Sequence, residues 1–290
     1  MKFIPIDRKA ESAHHARAIG LILLLLGTLS FLQNCTPPTN PVLNNPNDSL
    51  TGAFVAPEIS LLAGADTPID NSNWRQRRTV FRWSGNSTTG TYSFKLDTAE
   101  WSPWSQATGV EYESLDDDVH VFWVKGRHTN ESNETEPQRR SFTIDLLPHP
   151  SFFIVPNIVR PKAGDRFSLY LRVKNINLLM TMTTVLSYSR NIFAVEAIEV
   201  LQNFMTKNLG TVVAITSLDP NAGRIEANLG IALGKPKGVQ GTGDLLRFQC
   251  RALSAGIDSL RIKMDSTVVK DTTGISVRIA GYANGRVIVQ

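Results

Sequence analysis

AGDRFSLYLRVKNI (163–176) carries the alternation of a β-strand. Phe167, Leu169, Leu171 and Val173 recur at every second position, with Arg166, Ser168, Tyr170, Arg172 and Lys174 between them. Successive side chains of a strand point to opposite faces, so this pattern gives one buried face and one polar face. The same rhythm returns in Ile225-Ala227-Leu229, Leu246-Phe248-Cys250-Ala252, Leu260-Ile262-Met264, Ile275-Val277-Ile279 and Val287-Val289. With Val185 to Tyr188, Ile198 to Leu201 and Val212 to Ile215, about nine strands fall between Ser151 and Gln290. That length is enough for two packed sheets with a core of their own.

Working outward, residues 54–147 show shorter strands of the same kind. Phe81 and Trp83 alternate with Arg82 and Ser84, and Tyr92, Phe94 and Leu96 alternate with Ser93, Lys95 and Asp97. Val119 to Val124 follows Asp116-Asp117-Asp118, whose three adjacent carboxylates read as a solvated turn. A linker at Pro148-His149-Pro150 is expected to separate this region, 54–147, from the second domain, 151–290. The fold class that follows is all-β, with two sandwich domains, the second a nine-stranded jelly roll.

Two resemblances rest on these segments. Tyr92-Phe94-Leu96, Trp101-Ser102 and Phe122-Val124 are similar to the strand pattern of bacterial immunoglobulin-like modules related to fibronectin type III. The second domain resembles cohesins. The matching elements are Ala163-Gly164-Asp165 leading into FSLYLRVKNI, then VLSYSRNIFAVEAIEV, Gly241-Thr242-Gly243-Asp244 ahead of Leu246 and Phe248, Ala255-Gly256, and Gly285-Arg286-Val287. Ser189-Arg190 stands where that family usually has Asp-Pro, and Thr181 and Thr183 stand where Asn or Asp are common. The resemblance implies a docking face near Thr181, Thr183 and Tyr188 and a dockerin-bearing protein as partner.

The beginning of the chain reads as an export signal. Lys2, Arg8, Lys9 and Arg17 precede an apolar run from Ala18 to Leu32, too short for the roughly 20 residues that cross a bilayer. Leu32-Gln33-Asn34-Cys35 resembles the lipobox of bacterial lipoproteins, with Asn34 in place of the usual small residue. A signal peptide of 1–34, a lipid on Cys35 and a flexible tether through residue 53, rich in Pro and Asn, are therefore expected. Such a protein sits in the bacterial envelope, at the outer membrane or cell surface, and meets the membrane through its lipid.

Chemistry is sparse. Loss of the leader lowers the formal charge from +4 to about +2, too little for a nucleic-acid footprint. His120, His128 and His149 have no His or Cys partner at metal-ligand spacing, and GKPKGVQGTGD (234–244) lacks the Lys-Ser/Thr of a phosphate loop. Cys250 shares a strand face with Leu246 and Phe248 and reads as a small buried side chain. No catalytic residue, metal or cofactor is expected. The chain reads as a non-catalytic scaffold that docks a protein. The alternative is a polysaccharide-binding surface protein, for which Trp101 and Trp104 are the ring-stacking candidates.

Overall fold

The computed structural model describes residues 49–290 except 51, 132, 208–209 and 233–237. The expected signal peptide, Cys35 and nearly all of the tether lie outside the described residues, as does part of the glycine-rich loop.

Residues 59–144 form seven strands: β1 (Ile59–Leu61), β2 (Ser72–Trp74), β3 (Thr79–Gly85), β4 (Thr89–Leu96), β5 (Gly109–Tyr112), β6 (Val119–His128) and β7 (Gln138–Ile144). They pair as two sheets, β1-β3-β5 and β2-β7-β6-β4. Strict alternation makes β6 the spine of the second sheet, because His120, Phe122, Val124, Gly126 and His128 are all buried. Phe122 stacks on Phe81 of β3 with ring centroids 4.0 Å apart, which joins the two sheets through their aromatic residues. Trp83, Tyr92, Phe142 and Ile144 complete this core.

The second sandwich has its own core. One sheet runs in the order β12 (Phe193–Val200), β15 (Val239–Ala252), β10 (Arg166–Leu179), β8 (Ser151–Val155), β18 (Gly281–Ala283). The other runs β13 (Thr211–Asp219), β14 (Arg224–Ala232), β11 (Thr181–Ser187), β16 (Gly256–Ile262), β19 (Gly285–Val289), β9 (Ile158–Val159), and β17 (Val268–Lys270) also pairs with β11. A single helical turn, α1 (Gln202–Met205), bridges β12 and β13 and sinks Phe204 and Met205 into the core. Leu169, Leu171 and Val173 of β10 face Met182 and Leu186 of β11 and Ile225, Ala227 and Leu229 of β14 across the interior.

Among the described residues twelve strands replace the nine expected here. Ile275-Val277-Ile279 is not one of them. Asp271 accepts the backbone N–H groups of Thr273 and Ile275 in a tight turn, and Ile275 is exposed. Pairing along this segment is reduced to the single bridge of Lys270 with Ser276. Strands β8, β9, β17 and β18 were absent from the expectation.

The segment between the sandwiches is pinned. Asp117 accepts the N–H groups of Leu146 (2.6 Å) and Leu147 (3.1 Å), so the chain leaves β7 hydrogen-bonded to the loop before β6. Asp117 is 1% exposed, which corrects the solvated turn expected for Asp116–Asp118. Three adjacent carboxylates are tolerated in a closed site because backbone amides and cations of the second sandwich satisfy them.

Candidate functional site

The two outer faces of the second sandwich differ in kind. On β10, β12 and β15 the outward residues are largely charged and paired among themselves. Glu196 bridges Arg166 (3.1 Å) and Arg251 (2.7 Å), Glu199 meets Arg247 at 3.0 Å, and Asp244 holds Arg172 at 2.6 Å. Charges that neutralise one another leave little unspent attraction for an outside partner.

The outer face of β13, β14, β11 and β17 has an uncharged centre. Register places Ile215, Asn228, Thr183 and Val268 in one row across four strands. Val213, Gly230, Thr181 and Lys270 form the next row. Ile215 is 69% exposed, Val213 54% and Val268 42%, while Thr183 donates from its hydroxyl to the Asn228 side-chain oxygen at 2.8 Å. Charges appear toward the rim, where Arg224 pairs with Glu226 at 2.6 Å. An apolar centre with hydroxyl and amide neighbours and a polar rim is the composition of a protein-docking patch.

Thr181 and Thr183 lie on this face, and both are exposed. Tyr188 does not. It is 6% exposed, and its ring stacks on Phe193 at 5.1 Å inside the core. Parity is the reason: Thr181 and Thr183 of β11 point out, Met182, Thr184 and Leu186 point in, and Tyr188, one residue past the strand, follows the even positions. The exposed apolar residues of the neighbouring strands, Val213 and Ile215, were missed. Their alternation with Ala214 and Thr216 reads as an ordinary strand, and only its edge position leaves both faces open.

Trp101 and Trp104 lie in the loop after β4, across the outer side of the first sandwich. The Ser102 hydroxyl accepts the Phe94 N–H at 3.0 Å, and Ser105 exchanges backbone hydrogen bonds with Tyr92, so this loop runs along β4. Lys125 lies over both rings, 5.1 Å from the Trp101 centroid and 5.0 Å from that of Trp104. Lys95 also approaches Trp101 (5.1 Å), and Arg127 approaches Trp104 (4.6 Å). A sugar ring stacking here would compete with these cations for the aromatic faces.

Cys250 is buried between the sheets, and burial pushes its thiol up to about 12. No group of three or more His, Cys, Asp or Glu side chains fit to hold a metal occurs among the described residues. Nor, among them, is any helix long and apolar enough to cross a membrane.

No family model matches the chain, and no curated protein matches it. Among solved structures it is similar to a non-cellulosomal cohesin from the hyperthermophilic archaeon Archaeoglobus fulgidus, at 16% identity over 49% of this chain and 92% of that chain, TM-score 0.39. A cohesin–dockerin complex from Clostridium thermocellum matches at 13% identity over 50% of this chain and 97% of that chain, TM-score 0.41. A type II cohesin domain from the cellulosome of Acetivibrio cellulolyticus matches at 15% identity over 48% of this chain and 95% of that chain, TM-score 0.39. These three structures are cohesin domains, alone or in a complex, each matching about half of this all-β chain.

Proposed function

We propose that this chain is a non-catalytic docking protein that receives a protein partner on the outer face of β13, β14, β11 and β17. The observation that carries the proposal is the row Ile215–Asn228–Thr183–Val268, an exposed, uncharged and partly apolar surface built on rigid strands. The partner is a dockerin-like module, following the resemblance of residues 151–290 to cohesins. Its apolar side chains would cover Val213 and Ile215, while its polar groups meet Thr181, Thr183 and Asn228.

The test is a calorimetric titration of the full chain with dockerin-bearing proteins of its own source, in the presence of calcium. Saturable binding that Val213→Asp with Ile215→Asp abolishes supports the reading. Binding that survives both substitutions moves the site elsewhere. Retention on an insoluble polysaccharide with no protein bound replaces the protein partner by a glycan.

Export and a lipid on Cys35 would hold the docking face at the bacterial cell surface. Cys35→Ala should then shift the protein from the membrane fraction to the soluble one, and a variant that stays with the membrane removes the anchor from the proposal.

A further inference from the structure

The outward positions of β10 and β8 nearest the first sandwich are not exposed. Phe153 pairs with Arg172 on the outer side of the sheet, opposite in parity to the core residues Phe152 and Ile154. Even so it is 2% exposed, and it belongs to neither hydrophobic core. Lys174, on the same outer side and paired with the buried Ser151, is 7% exposed. Something covers this end of the sheet, and the polar contacts identify it as the first sandwich.

Those contacts come from both partners. Lys174 Nζ donates to the backbone carbonyls of Asp117 and Ile144, both at 3.2 Å, and lies 2.9 Å from the Asp145 carboxylate and 3.6 Å from that of Asp117. Arg172 divides its guanidinium between Asp244 of its own sheet and Asp118 of the first sandwich. The Asp116 carboxylate accepts the Asn157 N–H at 2.6 Å, and the Asn157 side chain donates to the Leu115 carbonyl at 3.1 Å. Burial pushes the Asp145 carboxyl up, but Lys174 and His149 beside it outweigh that and hold it below its ordinary value.

We infer that the two sandwiches are one rigid body, closed by an ionic lock between the Asp116–Asp118 loop with Asp145 and the Arg172/Lys174 pair of β10. Three carboxylates from one side, Asp117, Asp118 and Asp145, meet two cations from the other, while Asp116 takes the Asn157 N–H, and Lys174 has no water-exposed alternative in the closed arrangement. The lock engages the sheet opposite the proposed docking face, so it fixes the direction in which that face points and leaves it free. It stands whatever partner docks there.

The test uses the full chain carrying Cys35→Ala, with nitroxide labels at Ser87→Cys and Ala222→Cys, both exposed and one on each sandwich. Electron–electron double resonance should give one narrow distance peak. Arg172→Met with Lys174→Met should broaden it several-fold and split a single calorimetric unfolding transition into two. Should that pair fail to fold, Asp118→Asn with Asp145→Asn removes charge from the other side without touching β10, and the same broadening is expected. A broad distribution in the unsubstituted protein, or a peak that stays narrow in whichever variant folds, overturns the inference.

Discussion

The two outer faces of the second sandwich are built by the same strand physics and end in opposite states. The five-stranded sheet carries Arg166, Arg172, Lys174, Arg247 and Arg251 outward, and acidic residues answer these cations either within the sheet or from the first sandwich. The β13-β14-β11-β17 face leaves Val213, Ile215 and Val268 in solvent, uncovered among the described residues. A charged surface can be completed inside one chain by complementary charges. An apolar patch can be completed only by being covered, and none of the described residues covers it. The first face is thus largely satisfied within the chain, and the second is the face on which a partner is proposed to dock.

Breaking the joint should give the largest effect. Asp117→Asn removes the charge opposite Lys174 in a closed site and weakens the acceptor of Leu146 and Leu147, so a loss of about 3 kcal/mol is expected. Urea unfolding followed by tryptophan fluorescence measures it. A loss no greater than that of an exposed carboxylate would place water in the joint.

Val213→Asp with Ile215→Asp probes the open face. Both side chains are already in solvent, so stability should stay within about 0.5 kcal/mol. Partner affinity should fall at least tenfold, about 1.4 kcal/mol. Equal losses in folding and in binding would show that these residues serve the sandwich and not a partner.

The sequence discloses these two faces unequally. Strand content was legible because β14 alternates throughout, β10 from Ser168 to Val173 and β15 from Leu246 to Ala252, and the core of the second sandwich follows from that alternation. The proposed face was half legible: Thr181 and Thr183 are exposed on it, but Tyr188 was placed beside them although its even number sends it inward. The joint was not read at all. Asp116-Asp117-Asp118 resembles any solvated turn, and Lys174 resembles any outward position of a strand, because the contact joining them spans more than fifty residues. One local signal did exist. SFFIV (151–155) is apolar at consecutive positions, the mark of a strand buried on both sides, and Phe153 is the residue that faces the joint.

A smaller, pH-dependent effect should reach the joint from the first sandwich. His120 is buried. Burial lowers its proton affinity, but Asp97 (2.8 Å from Nδ1) and the Asp116 carbonyl (3.0 Å from Nε2) outweigh that, and its pKa stands above the ordinary 6.5. A raised folded-state pKa contributes stability that is complete below the unfolded value and is lost as pH rises through the folded one. The chain should therefore be less stable at pH 8 than at pH 6, and His120→Gln should flatten that slope. An unchanged slope would assign the pH dependence to another group.

The smallest effect belongs to the charged face away from the joint. Glu196 bridges Arg166 and Arg251 with better distances than Lys174 makes to Asp117. Distance is not what decides the outcome. Both arginines keep much of their side-chain surface in water, which screens the pair and resolvates each partner when the other is removed. Glu196→Gln should therefore leave the unfolding midpoint where it was, in low salt and in high salt alike. A clear loss at low salt that vanishes at high salt would mean that the outer-face charges act as a network reaching Arg172, and the joint would then extend across the whole sheet rather than ending at β10.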